Sequence, residues 1–300
     1  MSTMQRPRSR ARFIALAAAL AAILSLAFAS SALAKAPTGD FAPFAQCPRF
    51  TPGVEVCLYS QTESGEVTIG SSTVPIKNTI TLQGGYHQNA ETFAETFVGA
   101  LNGETLSRTP EPVPGGLGGL VNCNEISNLL LRISCRATFE NGLTGVNATT
   151  ELARPASEIG ISTENLENRE GPALSLPIKV HLENPLLGSN CYIGSSSQPI
   201  VLNLTTGATS PPPPNTSISG KVGVITAKDE FNFIEVTGNK LVDNAFAAPV
   251  ASGCGGLLSA VLDPIINAKL GLPAAAGHNT AIQNNTIKEA TTEGVIASEE

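Results

Sequence analysis

Six cysteines, three histidines and 25 acidic residues are the groups in this 300-residue chain that could support covalent, acid–base or metal chemistry. The cysteines are Cys47, Cys57, Cys123, Cys135, Cys191 and Cys254. A zinc site needs clustered Cys and His at spacings such as C-x2-C. No two of these cysteines lie closer than Cys47 and Cys57, so a metal role is not expected. An even count in an exported chain suits three disulfides instead, although many connectivities remain open on sequence alone. Spacing favours the sequential set Cys47–Cys57, Cys123–Cys135 and Cys191–Cys254. That set leaves no cysteine over to act as a catalytic thiol.

The histidines offer little. His181 falls on the polar face of a strand pattern and reads as a solvated residue. His278, in AAGHNT, reads as a turn residue. His87, in LQGGYHQN, follows a Gly-Gly-Tyr bend, and its context alone suggests a pocket rim; an ordinary loop residue is the commoner case. Neither a G-x-S-x-G elbow nor an S-x-x-K or K-T-G pattern occurs. H-E-x-x-H and EF-hand loops are missing too. PGGLGGL does not satisfy the dinucleotide fingerprint G-x-G-x-x-G. Two carboxylates on separate loops could still cleave a glycoside. Asp229, Glu230, Glu164 and Glu167 qualify only in that loose sense, since turn acids are usually just solvated. No catalytic residue, cofactor or metal is therefore assigned.

These groups sit in a chain built for export. Arg6, Arg8, Arg10 and Arg12 precede an apolar run, and SALA (31–34) supplies an A-x-A cleavage pattern. That order is the one expected of a secretory signal peptide over 1–34; the alternative is an uncleaved membrane anchor, for which the apolar run is slightly short. Losing its four arginines takes the net charge from −7 to −11. An acidic protein repels phosphate backbones and anionic membrane surfaces, so nucleic acid is not an expected partner. No second apolar run of spanning length follows, so no membrane span is expected in the mature chain. Charged residues make up 14%, against about 25% in an ordinary domain, and Ser, Thr, Asn and Gly do the solvating. Asn147 and Asn203 head N-x-T sequons, which matter only in a host that glycosylates them.

The elements that must position these residues read as strands. EVCLYSQT (55–62) and GEVTIG (65–70) form two strands around a turn at 63–65, and TVPIKNTITLQGG (73–85) forms a third. NAETFAETFVGALNG (89–103) fits a short helix face or a strand and leans to strand or mixed structure, and PVPGGLGGL (112–120) reads as a turn-rich loop. NEISNLLLRISC (124–135) carries a helical apolar stripe. GVNATTELA, EIGIST, LSLPIKVHLEN, QPIVLNLTT, GKVGVITA, FNFIEVTG and KLVDNAFAAP continue the β pattern. LSLPIKVHLEN (174–184) is the clearest, with Leu174, Leu176, Ile178, Val180 and Leu182 on one face. In GGLLSAVLDPIINAKLGLP (255–273), Asp263-Pro264 reads as an N-cap and first helical residue between two short helices. A Cys191–Cys254 bridge would enclose PPPP (211–214), making it a stiff excursion within one domain and not a linker. IGSSTVPI (69–76) and IGSSSQPI (193–200) resemble each other, as a duplicated β unit or by chance in a Ser-rich chain.

The fold class expected is mainly β, a disulfide-stapled β-sandwich or partly closed barrel with one or two short helices. The expected organisation is a signal peptide (1–34), an N-terminal extension (35–46), one β-rich domain (47–289) and a frayed tail (290–300). A split near 154–168 is the alternative.

LPIKVHLENPLLGSNCYIGSSSQPIVLNLTTGATSPPPPN, LVDNAFAAPVASGCGG and STVPIKNTITLQGG together resemble secreted proteins of unknown function from high-GC Gram-positive bacteria of actinobacterial type. The resemblance implies an exported, cysteine-bearing protein and no activity. The function expected is non-enzymatic binding of a cell-wall or surface component, or another extracellular partner. The alternatives are an extracellular hydrolase with an unrecognised site, and a β-barrel carrier of an apolar ligand. The carrier would need a cavity lined by Ile, Val and Leu; the hydrolase would need His87 or an acidic pair to converge with other groups.

Overall fold

A computed structural model describes residues 35–120, 126–139 and 144–299. The expected signal peptide and Cys123 lie outside the described residues. Residues 37–298 form one compact unit.

The strands, in chain order, are β1 (Val56–Ile69), β2 (Ser72–Ile76), β3 (Ile80–Gln88), β4 (Glu95–Gly99), β5 (Pro110–Pro112), β6 (Asn147–Leu152), β7 (Gly160–Ile161), β8 (Leu174–Glu183), β9 (Tyr192–Ile193), β10 (Ile200–Leu204), β11 (Val224–Lys228), β12 (Phe233–Asp243), β13 (Ala251–Ser252) and β14 (Thr280–Thr291). The helices are α1 (Gly116–Leu120), α2 (Leu129–Phe139), α3 (Thr163–Asn168), α4 (Ser259–Leu270) and α5 (Thr292–Ala297). The strands make two seven-stranded antiparallel sheets among the described residues. The first runs β11-β12-β14-β1-β3-β4, with β2 also paired to β1. The second runs β13-β9-β8-β6-β5, with β10 and β7 also paired to β8. Neither sheet closes on itself, so of the two expected architectures the open pair of sheets is the one present.

Alternation explains the second sheet. Leu174, Leu176, Ile178, Val180 and Leu182 of β8 are all buried, as their spacing predicts, together with Leu202 and Leu204 of β10. The first sheet departs more from expectation. The predicted turn at 63–65 is a bulge inside one long strand, because β1 pairs β14 through Thr62 and then Ser64, skipping Glu63. Gly65 makes this feasible: at φ +140° its Cα passes the Ile282 carbonyl so closely that a Cβ would lie 2.0 Å from the oxygen. The predicted single strand 73–85 is broken into β2 and β3. The first half of β1 pairs β3 and the second half pairs β2, so the edge changes strand at residues 77–79. Glu111 of β5 holds that turn, accepting the Lys77 and Asn78 amides at 2.9 and 2.8 Å. A side chain of the second sheet thereby clamps the edge of the first. At another corner, Thr205 and Val242 exchange backbone hydrogen bonds between β10 and β12.

The Asp263-Pro264 reading needs correction. A single helix, α4, runs through Pro264. Asp263 does not cap it; its carboxylate accepts the Gly253 and Cys254 amides at 3.1 and 2.8 Å. The expected frayed tail is also corrected. β14 continues to Thr291, whose side chain caps α5 by accepting the Gly294 amide, and Val295 is fully buried. Val295 packs with Phe44, Cys47, Cys57, Phe233 and Ala290 in a second apolar cluster. The N-terminal 3-10 helix Gly39–Gln46 supplies Phe44 to it.

Cys47–Cys57 and Cys191–Cys254 are bonded as the sequential set proposes. The expected partner of Cys135, Cys123, is outside the described residues. The Cys191–Cys254 bridge spans 63 positions and encloses residues 211–214. Those prolines are anchored at their end: the Asn215 side-chain Nδ2 donates to the Asn244 and Asn279 carbonyls at 3.0 and 2.9 Å. The tract is an excursion within one unit.

Candidate functional site

The space between the sheets is not fully packed. A cavity of about 100 Å³ lies between the inner faces of β1, β2, β3 and β14 on one side and β6, β8, β9 and β10 on the other. Its apolar lining includes Val74, Ile80, Leu176, Ile178, Val180 and Ile193. Well-packed interiors leave few voids larger than a water molecule, so a space of this size is notable. Val74, Ile80 and Ala148 are only partly buried, and they mark the side nearest solvent.

The floor differs from the roof. Ser60 and Thr62 of β1 pair directly with Ile287 and Asn285 of β14, and Gln283 lies two residues before Asn285 on the same face. Asn285 is 3% exposed. Its Nδ2 donates to Thr62 Oγ1 at 2.8 Å. Its Oδ1 is buried and has no hydrogen-bond partner. Most buried side-chain polar atoms are paired, so this one requires an explanation. Among the lining residues there is no Lys, Arg, His or Cys, and Glu111 is the one acid.

A smaller cavity of about 40 Å³ adjoins the first, sharing Ser60, Leu82 and Leu174. Glu289 of β14 lines it. Burial pushes the Glu289 carboxyl up to about 7, and nearby Glu95 and Glu167 add to the rise. Tyr86 is hydrogen-bonded to it and opposes the rise, while its own phenol is driven far upward by burial and by Glu289 and Glu95. Glu95 is tied elsewhere, accepting from the Thr163 amide at 3.0 Å and from the Thr163 hydroxyl. At Asp243 burial also raises the carboxyl, against backbone donors at Ala245 and Asn203 that lower it.

The residues singled out from the sequence do not meet here. His87 lies on β3, paired to Thr96, and lines neither cavity. His181 is not a solvated residue: it stacks on Tyr192 with ring centroids 4.4 Å apart, and its Nδ1 lies 3.3 Å from Glu183. That pair belongs to a charged group with Glu151 and Lys179 on the outer face of β8, away from the cavity. His278 sits in a turn, its amide donating to the Ala275 carbonyl. Asp229 and Glu230 occupy a tight turn with positive φ, and Glu164 opens α3. Glu167 acts on Glu289 through its charge. Sequence reasoning missed Gln283, Asn285 and Glu289. The available signal was their i, i+2, i+6 spacing, with Ile287 at i+4, which places all four on one strand face.

Compared with family models, curated proteins and solved structures, the chain matches none. Among the described residues no helix is long and apolar enough to cross a membrane, and no acidic, His or Cys cluster suits a metal ion.

Proposed function

We propose that this is an exported, non-enzymatic protein that binds a small apolar ligand between its two sheets. The observation that carries the reading is the cavity lined by Val, Ile and Leu from both sheets. The export half rests on the basic, apolar and small-residue order of 1–34 and on the disulfides. Ligand pockets are mostly apolar with a few placed polar groups, which is the composition here. A ligand that binds only the folded state raises the melting temperature with its concentration. Benzene is therefore expected to raise the Tm of the wild-type protein. Leu176→Trp, which fills the cavity, is expected to abolish that dependence. A Tm indifferent to benzene in the wild type would contradict the reading.

A second reading, docking on a cell-wall or other surface component, draws on one observation. Leu129, Leu130, Leu131 and Ile133 of α2 are all exposed, Leu130 at 77%. Co-sedimentation of the protein with purified cell wall, repeated with Leu130→Glu, tests it. Binding that the substitution removes would favour surface docking, and no sedimentation would discard it.

A further inference from the structure

We propose that β11 docks a second copy of this chain, pairing antiparallel with the same strand of that copy about a two-fold axis at Ile225.

The four strands that end the two sheets are not alike. An unpaired edge offers its backbone N–H and C=O groups to any other strand, and proteins usually blunt it. β5 is three residues long and carries Pro110 and Pro112, which have no amide to donate. β13 is only two residues long. β4 is screened, since a Cβ added to Gly99 would lie 2.9 Å from the Ala156 Cβ. β11 has none of these protections. Its sequence, VITAK, contains no proline, and every residue is exposed, Val224 at 67% and Ile225 at 47%. Its register with β12 is unbroken. Lys228 could guard the edge, but its Nζ turns back to Asp40 at 3.1 Å and lies over the Phe233 ring.

The open backbone groups can be assigned. Lys221 exchanges both its backbone hydrogen bonds with Lys240, at 2.8 and 2.9 Å, in the register that β11 and β12 keep. The direction of hydrogen bonding alternates along an antiparallel strand. Lys221, Gly223, Ile225 and Ala227 therefore face β12, and Val222, Val224, Thr226 and Lys228 present their N–H and C=O groups outward. The Gly223 amide agrees, donating to Asn239 Oδ1 of β12 at 2.9 Å. With Ile225 opposite Ile225 of the second copy, Val224 opposes Thr226 and Val222 opposes Lys228. Outward residues then meet outward residues throughout.

Charge selects both the occupant and the register. Two isoleucines at the axis form a β-branched cross-strand pair. In the same register Lys221 opposes Asp229 of the second copy, and the symmetry makes that pair twice. Both side chains are exposed and carry no ion pair among the described residues. Moving the axis to Thr226 would instead set Lys221 against Phe231 and Lys228 against Val224. A strand whose own charges complete one another across a two-fold makes an isologous contact, which closes at a dimer. Five paired residues a side are fewer than in a standard interface, so the association is reversible.

Sedimentation equilibrium of the disulfide-intact protein over a wide range of concentration tests this. The average mass is expected to rise from one chain toward two and to stop there. Ile225→Lys changes a half-exposed position and puts two like charges on the axis, so it should hold the protein at one chain. Lys221→Glu sets an acid against Asp229 twice and should weaken the dimer about fivefold. Adding Asp229→Lys to it reverses both pairs and should restore the association. A mass of one chain throughout would leave the edge to an extended segment of another protein and overturn the proposal. A mass beyond two chains, or a dimer indifferent to Ile225→Lys, would overturn it as well, placing the contact elsewhere. A Lys221→Glu dimer as strong as the wild type would overturn the register. Should Asp229→Lys disturb its turn, where residue 229 has φ +49°, the two single variants at 221 and 225 decide.

Discussion

At the scale of single residues, two side chains carry tasks that their types alone do not announce. Glu289 is a carboxyl whose proton the fold holds to higher pH than usual, because burial disfavours the charged form. Its folded value of about 7 exceeds its ordinary value of 4.5. Between these values the unfolded chain has released the proton and the folded chain has kept it, so stability falls as pH rises through that window. Below about 4.5 the contribution is fully present, and above about 7 it is lost. Glu289→Gln, which stays neutral, should remove most of that slope; urea melts at pH 4.5, 6 and 8 measure it, with the wild type losing stability across the series and the variant losing less. Glu111 works in the opposite sense, as a buried acceptor for two amides. Glu111→Ala strands both donors and is expected to cost about 1–3 kcal/mol in urea unfolding. Unchanged stability would show that the turn at 77–79 does not depend on the clamp.

At the scale of elements, legibility in the sequence followed the polarity of the inner face. β8 alternates cleanly, because every inward residue from Leu174 to Leu182 is aliphatic and the pattern survives to the core. β14 gives no such signal. Its inward row reads Gln283, Asn285, Ile287 and Glu289, so a central strand of the first sheet looks like a polar tail. The residues that hide the strand are the ones that furnish the cavity floor and the upward-shifted carboxyl of Glu289. Local rules fail most readily at functional sites, where side chains are chosen for something other than packing. The α2 stripe fails for a different reason: its helical spacing is real, yet Leu129, Leu130 and Ile133 face outward, and periodicity does not say which face is covered. The turn expected at 63–65 failed because Gly65 serves as readily in a bulge as in a turn. Gly65→Ala should destabilise the protein by more than about 1 kcal/mol, since the backbone at Ile282 blocks a Cβ. Thermal denaturation measures this, and a neutral result would mean that β1 and β14 can separate there at no cost.

At the scale of the molecule, two open sheets meet over a core that remains partly empty. Corner hydrogen bonds between Thr205 and Val242, the Glu111 clamp and the Cys191–Cys254 bridge tie the arrangement together. The bridge closes a long loop, spanning 63 positions, that contains the proline tract, β11 and β12. In the chain-entropy view a loop of that length contributes about 4 kcal/mol. Replacing Cys191 and Cys254 together by Ala should therefore lower stability by several times what a surface substitution does, while Cys47 and Cys57, closing a loop of 10 positions, should cost about 3 kcal/mol. Equal and small losses would place the stability in packing instead.

The central claim is that the space between the sheets is a largely apolar, ligand-accepting cavity. Crystals of the protein pressurised with xenon test it most directly, because xenon enters apolar voids. The account predicts xenon density beneath Leu176, Ile178 and Val180, above the Asn285 floor. A site filled by ordered water, or closed by these side chains with no xenon present, would contradict it.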